Sequence, residues 1–304
     1  MQMSNTTEQA MRLLRLGQLE EADRISQLAL EHESDLNGDG IWTFLFIRAE
    51  VLRVRGQAAQ ALKYLEAQRT PDRAYPEFCA RFRMHCGYYQ GLLGRYEASH
   101  RLLNDAQHKA IDLSHDELHC EVLFRRGFVF YLQENYTESE KLYREALRLS
   151  TQLPDWYFRG HALWGVGKNF MIREQYEEAL TWLKEALTVF ESPEARLSMA
   201  MVWSEMAVCY LGLGEDEKAM DLFQKSRQID EERGAVHNYQ VTIANIGNVY
   251  LHRRNYLTAI AHYRQALSLA REIEDPVSIK KWSYNIRLTY ARLRQDIDQQ
   301  VSIA

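Results

Sequence analysis

Apolar residues recur along this chain at spacings of three and four, the spacing that places side chains on one face of an α-helix. One such face is formed by Tyr176, Ala179, Leu180, Leu183, Ala186 and Leu187. All five prolines fall between stretches of this kind, where they cannot interrupt a helix interior. The pattern therefore predicts helices joined by turns.

A second pattern returns every forty residues. One position of the repeat is small, at Gly87, Gly127, Gly167, Ala207 and Gly247. Another carries a large ring, at Phe130, Phe170, Tyr210, Tyr250 and Tyr290. Two helices approach closely only where one presents a small residue to a bulky residue of the other. Each repeat is therefore expected to be a helical hairpin that packs on the next.

Shorter steps extend the repeat towards the N-terminus, through Ala49 and Gly56 and then through Ala10 and Gly17. We expect about seven hairpins and a closing helix from Val277 to about Arg294. A single domain would cover residues 1–294. Residues 295–304 would form a polar C-terminal tail that caps the array or frays.

The repeats contain a recognisable signature. Trp203, Met206, Ala207 and Tyr210, followed by Ala219 and Phe223, resemble the tetratricopeptide pattern of Trp, Leu, Gly and Tyr, then Ala and Phe. A second match is formed by Ile243, Ile246, Gly247, Tyr250, Ala259, Tyr263 and Ala266. The resemblance covers nearly the whole chain, and it implies an all-α fold, a right-handed superhelix of stacked hairpins.

A period of forty exceeds the commoner thirty-four, so each unit should have longer helices or a longer turn between units. The chain is similar to the long-period arrays of kinesin light chains, polarity adaptors and bacterial peptide-sensing regulators. It most resembles the regions that precede caspase-like CHAT peptidases. Because it ends at Ala304, before any peptidase domain, a stand-alone relative and a fragment are both open.

Charge and composition narrow the class of partner. The net charge is −5 and the basic residues are scattered, so nucleic acid is not an expected partner. The N-terminus lacks the apolar core of a signal peptide, and the longest apolar run, Phe128–Leu132, is too short to span a membrane. Four cysteines, Cys79, Cys86, Cys120 and Cys209, lie within helical patterns, and we expect them to be buried apolar residues. A cytoplasmic protein that does not bind membranes is predicted.

In a superhelix of hairpins, the first helix of each pair lines a concave groove. Counting from the small positions gives aromatic and Met candidates in the middle of this groove and amides near its end. These candidates are Met84, Tyr88, Phe124, Phe128, Tyr131, Trp164, Lys168, Met171, Asn245, Asn248 and Asn285. Exposed aromatic and Met side chains would anchor a partner chain. The alternative is that some, roughly half of the aromatics, pack in the core.

The asparagines suggest a specific mode of binding. Asn245 and Asn285 stand forty residues apart, and the resemblance to kinesin light chains implies a ladder of amides that binds the backbone of an extended peptide. The equivalent residues of the two preceding units are Gly165 and Glu205, so the ladder is partial. Hydrogen bonds between adjacent repeats are the alternative role. Lys168 and Lys281 do not reproduce a carboxylate clamp.

Three motifs resemble chemical sites without completing one. Residues 35–40 resemble the start of a calcium loop, but Phe46 occupies the position of the bidentate Glu. His115 and His119 lie one helical turn apart without a third zinc ligand. His–Cys neighbours occur at Cys86 and Cys120, but adjacent helical residues point about 100° apart and form no dyad.

The sequence therefore predicts a non-catalytic scaffold, without metal or cofactor, that binds a peptide or a partner protein in its groove. The alternative is a regulatory subunit or fragment of a larger enzyme system such as a caspase-like CHAT peptidase, with which the chain would associate. An enzyme acting alone is a third and more distant hypothesis.

Overall fold

The computed structural model describes residues 2–32, 38–69, 75–154, 156–191 and 195–303. These residues form fifteen α-helices and no strand. The helices are α1 (Gln2–Arg15), α2 (Leu19–Glu31), α3 (Gly38–Val54), α4 (Ala58–Glu66), α5 (Pro76–Leu92), α6 (Tyr96–Asp112), α7 (Asp116–Leu132), α8 (Tyr136–Ser150), α9 (Trp156–Ile172), α10 (Tyr176–Val189), α11 (Arg196–Gly212), α12 (Asp216–Glu232), α13 (Val236–His252), α14 (Tyr256–Glu272) and α15 (Pro276–Ile303). The predicted all-α fold is confirmed. Successive pairs form hairpins 1 to 7, and α15 closes the array.

The long period comes from long helices. Helices α5, α6, α7 and α11 to α14 each contain 17 residues. The connections between them are three-residue turns, such as residues 93–95 and 113–115. Two such helices and two such turns make up forty residues. The structure therefore supports longer helices, and not a longer turn between units, as the cause of the forty-residue period.

The prolines and cysteines lie largely where the sequence places them. Pro76 and Pro276 are the first residues of α5 and α15, where no helical hydrogen bond is lost. Pro154 lies in the connection before α9, and the other two prolines, at positions 71 and 193, lie outside the described residues. None of the four cysteines forms a disulfide; Cys86, Cys120 and Cys209 are buried, whereas Cys79 is half-buried. None of the described helices is long and apolar enough to cross a bilayer.

The closing helix is longer than predicted. It contains 28 residues and continues to Ile303, well past Arg294. Tyr256 at the start of α14 donates a hydrogen bond of 2.6 Å to Asp296, and Arg254 lies 3.7 Å from the same carboxylate. These contacts fasten α15 to the preceding hairpin beyond the predicted helix end. The residues after Arg294 that were expected to cap or fray are therefore helical up to Ile303, while the domain boundary stays a prediction.

The small residues of the forty-residue repeat mark the closest contact within each hairpin. A methyl group added at Gly87 would lie 2.9 Å from Leu103 Cγ, and one added at Gly127 would lie 3.1 Å from Tyr143 Cε1. The same relation holds for Gly167 with Leu183 and for Gly247 with Tyr263. In every case the bulky partner lies on the second helix of the same hairpin. The repeated glycines therefore leave space for a repeated bulky residue, as the pattern predicted.

Tyr143 is confined from two sides. Its ring lies against Gly127 of α7 and also against Gly165 of α9, where an added methyl group would lie 2.4 Å from Cδ1 and Cε1. Tyr143 is fully buried. One ring therefore joins hairpin 4 to hairpin 5 through two glycines.

The hairpins curve so that the first helices lie on the inside. First helices of successive hairpins contact one another from α1 and α3 through to α13 and α15, and no described pair of second helices does so to a comparable extent. The curve returns on itself after five hairpins. Gly17 of hairpin 1 lies against Leu197 and Arg233 at the edge of hairpin 6, and Gly56 of hairpin 2 lies against Ile273 of hairpin 7. The first helices therefore surround an inner face.

One buried carboxyl lies outside this inner face, between α12 and α13. Asp230 is 1% exposed. Its Oδ2 accepts hydrogen bonds from Thr242 (3.3 Å) and Ser226 (3.4 Å). Burial raises the pKa of this carboxyl to about 7, against the lowering effect of its hydrogen bonds. The folded protein therefore holds Asp230 protonated at a pH where the unfolded chain does not.

We predict that Gly165→Ala destabilises the fold by about 1–3 kcal/mol, because the added methyl group meets a ring that has no free space. Urea unfolding measures this change. Gly38→Ala is the matched control, since its methyl group would lie at an ordinary 3.4 Å from the Tyr75 ring. If both substitutions left stability equal or higher, Tyr143 would not be confined as described.

We predict that the contribution of Asp230 to stability, measured as the difference between wild type and Asp230→Asn, falls as pH rises from about 4 to about 7, because the unfolded state releases the Asp230 proton before the folded state does. Asp230→Asn removes this loss and stabilises the protein above neutral pH by on the order of 2–4 kcal/mol. Urea unfolding at about pH 5 and about pH 8 tests it, with exposed Asp298→Asn as the control. Equal pH profiles for wild type and Asp230→Asn would contradict the assignment.

Candidate functional site

The inner face is made of three zones that follow one another along the chain. A charged zone lies on hairpins 2 to 4, an aromatic zone on α7 and α9, and an amide zone on α13 and α15. The position at the centre of the predicted amide ladder is occupied in turn by His85, Arg125, Gly165, Glu205, Asn245 and Asn285. Each zone therefore presents a different chemistry at the same position of the repeat.

The charged zone is centred on the carboxylate of Glu50, on α3. Its Oε1 accepts hydrogen bonds from Tyr89 (2.7 Å) and Arg125 (3.2 Å) and lies 3.1 Å from His85 Nδ1. Its Oε2 accepts from Arg53 Nε at 2.7 Å. Because these partners come from α3, α5 and α7, one buried carboxylate joins three successive first helices.

A second carboxylate completes the charged zone. Glu121 accepts from Arg125 Nη2 at 2.7 Å, lies 3.4 Å from Arg81 Nη1, and is on the same helix as Arg125. The Arg125 guanidinium also lies over the Tyr88 ring, 4.8 Å from its centroid. Burial raises the pKa of Glu50, but Arg125, Arg53 and His85 outweigh it and hold that pKa well below its usual range. The zone is therefore ionised and its opposite charges are paired.

The imidazole of His85 is held neutral within this zone. Burial and the neighbouring Arg125 lower its pKa, against the raising effect of Glu50. Its ring stacks on Phe46 at 4.8 Å. It therefore acts as a neutral hydrogen-bonding group between two first helices.

The aromatic zone joins α7 to α9. Phe128 stacks on Trp164 and on Tyr131, each with ring centroids 6.1 Å apart, and Phe124 lies 6.1 Å from Trp164. The Lys168 ammonium lies 4.7 Å from the Tyr131 ring centroid and 5.1 Å from that of Trp164. Lys168 also forms an ion pair with Glu205 of α11. The cation is therefore neutralised beside the rings.

Burial divides the predicted groove residues into two groups. Met84 is 0% exposed and Trp164 3%, and Tyr88 and Met171 are each 7% exposed. The expected exposure is not found at these four positions, because the first helices pack closely enough to cover them. The other seven are half-buried: Phe124, Phe128, Tyr131, Lys168, Asn245, Asn248 and Asn285. Their part in binding stays a prediction.

The amide zone is linked within one repeat. Asn248 Nδ2 donates to Asn245 Oδ1 at 3.2 Å, one helical turn away, and Asn248 Oδ1 accepts from the Tyr263 hydroxyl at 2.6 Å. These bonds lie inside hairpin 7, whereas the alternative role expected bonds between adjacent repeats. Asn285 continues the ladder position on α15.

The gap in the ladder at Gly165 has a steric cause. A larger residue there would collide with the Tyr143 ring that passes beside it. Sequence reasoning recorded Gly165 as a departure from the ladder and missed both Tyr143 and the charged zone. The available signals were His85 and Arg125 at the ladder position and the helical spacing of Glu50 with Arg53. The contact between Glu50 and Arg125, 75 residues apart, depends on the curvature of the array.

The motifs set aside in the sequence have structural roles. His115 Nδ1 accepts from the Leu118 backbone N–H at 3.3 Å at the start of α7, and its Nε2 lies 3.3 Å from Glu77. The side chain of His119 contacts Gln107. Of the calcium-like motif, residues 35–37 lie outside the described chain. No group of three or more potential metal-binding side chains occurs in the described ranges.

The two candidate thiol nucleophiles are buried. Cys86 is 4% exposed and Cys120 0%, and the Cys120 thiol donates to the Ala146 carbonyl oxygen at 3.4 Å. Burial raises the pKa of each thiol to about 12. Both thiols are therefore protonated at neutral pH and are weak nucleophiles.

The sequence profile of the tetratricopeptide repeat family matches residues 119–192, 162–232 and 198–272, which together cover just over half of the chain. The chain belongs to the tetratricopeptide repeat family. Its hairpins, with small residues at the closest contacts and first helices on the inner face, are those of a tetratricopeptide superhelix.

Curated proteins and solved structures show where such arrays occur. Intraflagellar transport protein 70A from Xenopus tropicalis is 25% identical over 181 residues, 56% of this chain and 27% of that protein. The chain thus spans about a quarter of the length of this relative. Two structures share the fold. A Rap protein complexed with competence and sporulation factor has a TM-score of 0.67 at 18% identity, covering 92% of this chain and 80% of that one. NprR in complex with its cognate peptide NprX has a TM-score of 0.64 at 13% identity, covering 95% and 86%.

We predict that Glu50→Gln destabilises the tetratricopeptide array by about 3–5 kcal/mol, because it leaves the buried guanidinium of Arg125 and the half-buried guanidinium of Arg53 without their shared carboxylate. Thermal and urea unfolding measure the loss. Glu21→Gln is the control, since it breaks the exposed ion pair with Arg24 and should leave stability unchanged. Equal effects of the two substitutions would show that the charged zone does not hold the first helices together.

Proposed function

We propose that this chain is a non-catalytic scaffold that binds an extended peptide segment of another protein on its inner face. The observation that carries the proposal is the aromatic zone. Phe124, Phe128 and Tyr131 are only half-buried although they lie on α7, in the middle of the row of first helices. Partly exposed rings in a concave surface are typical of sites that anchor a partner.

The geometry favours an extended peptide over a globular partner. The array returns on itself after five hairpins, with Gly17 against Leu197, so the inner face is enclosed by its own first helices. An inner face enclosed in this way suits a single extended chain. The half-buried amides of Asn245, Asn248 and Asn285 could each donate and accept hydrogen bonds along its backbone.

The structural relatives support the same reading. The Rap structure contains competence and sporulation factor, and the NprR structure contains the peptide NprX. A non-catalytic role is further supported by the burial of Cys86 and Cys120. We also place the protein in the cytoplasm, which suits four cysteines without a disulfide. No feature of the described chain favours the alternative of a regulatory partner for a caspase-like peptidase.

We predict that wild-type protein selects peptides from a phage-displayed library of random dodecapeptides, and that Phe128→Ala weakens the selected peptides by about tenfold or more. Fluorescence anisotropy with a labelled peptide measures the affinity. Leu257→Ala, an exposed apolar residue at the start of α14, is the matched control and should bind as wild type does.

Two results would count against the proposal. If the library yielded no peptide that binds the wild type, peptide binding would be wrong. If Phe128→Ala bound as tightly as wild type and Leu257→Ala did not, the site would lie outside the inner face.

A further inference from the structure

Around one aromatic side chain, three buried polar atoms have no hydrogen-bond partner among the residues that the structure describes. They are Trp164 Nε1, the Tyr143 hydroxyl oxygen and His161 Nδ1. Their side chains are at least nine-tenths buried, with exposures of 3%, 0% and 8% respectively. All three rings pack on Phe124, with centroid distances of 6.1, 5.8 and 5.1 Å. The three side chains that carry the unpartnered atoms therefore form one cluster around Phe124 within the aromatic zone.

Such a cluster calls for an explanation. Buried polar groups are normally paired, because a buried donor without an acceptor lowers stability. The equivalent tyrosine of hairpin 7 shows the usual arrangement, since the Tyr263 hydroxyl donates to Asn248 at 2.6 Å. In hairpin 4 the residue equivalent to Asn248 is Phe128, which offers no acceptor. The Tyr143 hydroxyl is therefore buried without the acceptor that its counterpart in hairpin 7 finds on the inner face.

The cluster needs an acceptor from outside. The indole of Trp164 can only donate a hydrogen bond, and the Tyr143 hydroxyl can donate one. His161 differs from these two, because its other ring nitrogen, Nε2, already has a polar neighbour at 3.3 Å, Ser198 Oγ. A ligand that fits here must present an oxygen acceptor to the indole and the hydroxyl.

The surrounding charges favour a neutral acceptor. Lys168 is paired with Glu205, and Arg125 is paired with Glu50 and Glu121. The positive charges of these pairs are neutralised by their partners; Lys281 also lies within electrostatic range of Lys168, but Glu205 lies beside both and would repel a carboxylate. A main-chain carbonyl oxygen meets both requirements. The half-buried rings of Phe124 and Phe128 pack on Trp164. A carbonyl that reached the indole would displace these rings, which would then contact an apolar side chain of the ligand.

We propose that the aromatic zone holds one main-chain carbonyl of the bound peptide, which accepts hydrogen bonds from the Tyr143 hydroxyl and Trp164 Nε1 and is flanked by an apolar side chain. This inference rests on the proposed function, because it names the part of the peptide that the inner face recognises.

Tyr143→Phe tests the inference, because it removes the hydroxyl and leaves the ring in place. The free protein should become more stable, with a melting temperature higher by roughly 1–3 °C, because a buried unpaired group is lost. The tightest peptide selected by the wild type should bind the variant about 3–10-fold more weakly. Tyr263→Phe is the stability control and should lower the melting temperature, since its hydroxyl has an acceptor.

Modified peptides identify the acceptor. The selected peptide is made with one carbonyl at a time replaced by a thiocarbonyl, a weaker acceptor. Wild type and Tyr143→Phe should differ least for the one peptide that carries the change at the anchored carbonyl. The same peptide is also made with a free or an amidated C-terminus. If amidation alone abolished the difference, the acceptor would be a carboxylate and the inference would be wrong.

The remaining outcomes separate the two proposals. If the wild type selects peptides and Tyr143→Phe binds them equally well, the carbonyl anchor is wrong and peptide binding stands. A variant that is less stable than wild type in the free state would show that the hydroxyl is satisfied within the protein, which also overturns the anchor. If no peptide is selected at all, the proposed function itself fails.

Discussion

The structure depends on one contact that recurs in hairpin after hairpin: a residue with little or no side chain on the first helix meets a bulky residue on the second. Gly127 with Tyr143 and Gly247 with Tyr263 are instances. Because helices approach closely only at such points, the contact sets the spacing of each pair and the tilt at which pairs stack. The curvature of the array and the enclosure of its inner face follow from repeating it. Packing between neighbours thus determines a surface that no single hairpin could form.

Local pattern was enough to predict this architecture. Helical periodicity, a repeat of forty residues and prolines at unit boundaries give the helices, their pairing and their number, because each depends on residues close in sequence. The end of α15 was placed too early. Its last turns are polar, and their attachment through Asp296 to Tyr256 depends on a residue of the preceding hairpin. From sequence alone, a polar helix end resembles a polar tail, because the residue that it contacts is not known.

The inner face was predictable only in part. The small-residue register assigned the aromatic and amide residues to the first helices that the structure places together. The burial of Met84 and Trp164 was not predicted, because neighbouring helices cover these side chains. The charged zone was missed since Glu50 and Arg125 belong to different hairpins. Tyr143 was missed for another reason: it lies on a second helix, and its ring packs against the first helices of two hairpins because Gly127 and Gly165 leave space for it.

The return contacts of Gly17 with Leu197 and of Gly56 with Ile273 should change how unfolding spreads through this array. In an open solenoid each unit touches its neighbours alone, so the ends loosen first and order decays inwards. Here both terminal regions are fastened to units five places away. Local unfolding of one terminal region should therefore break contacts that also hold the distant hairpins in place. All the hairpins should then fold and unfold together, and a structural change at the centre of the array should reach both ends.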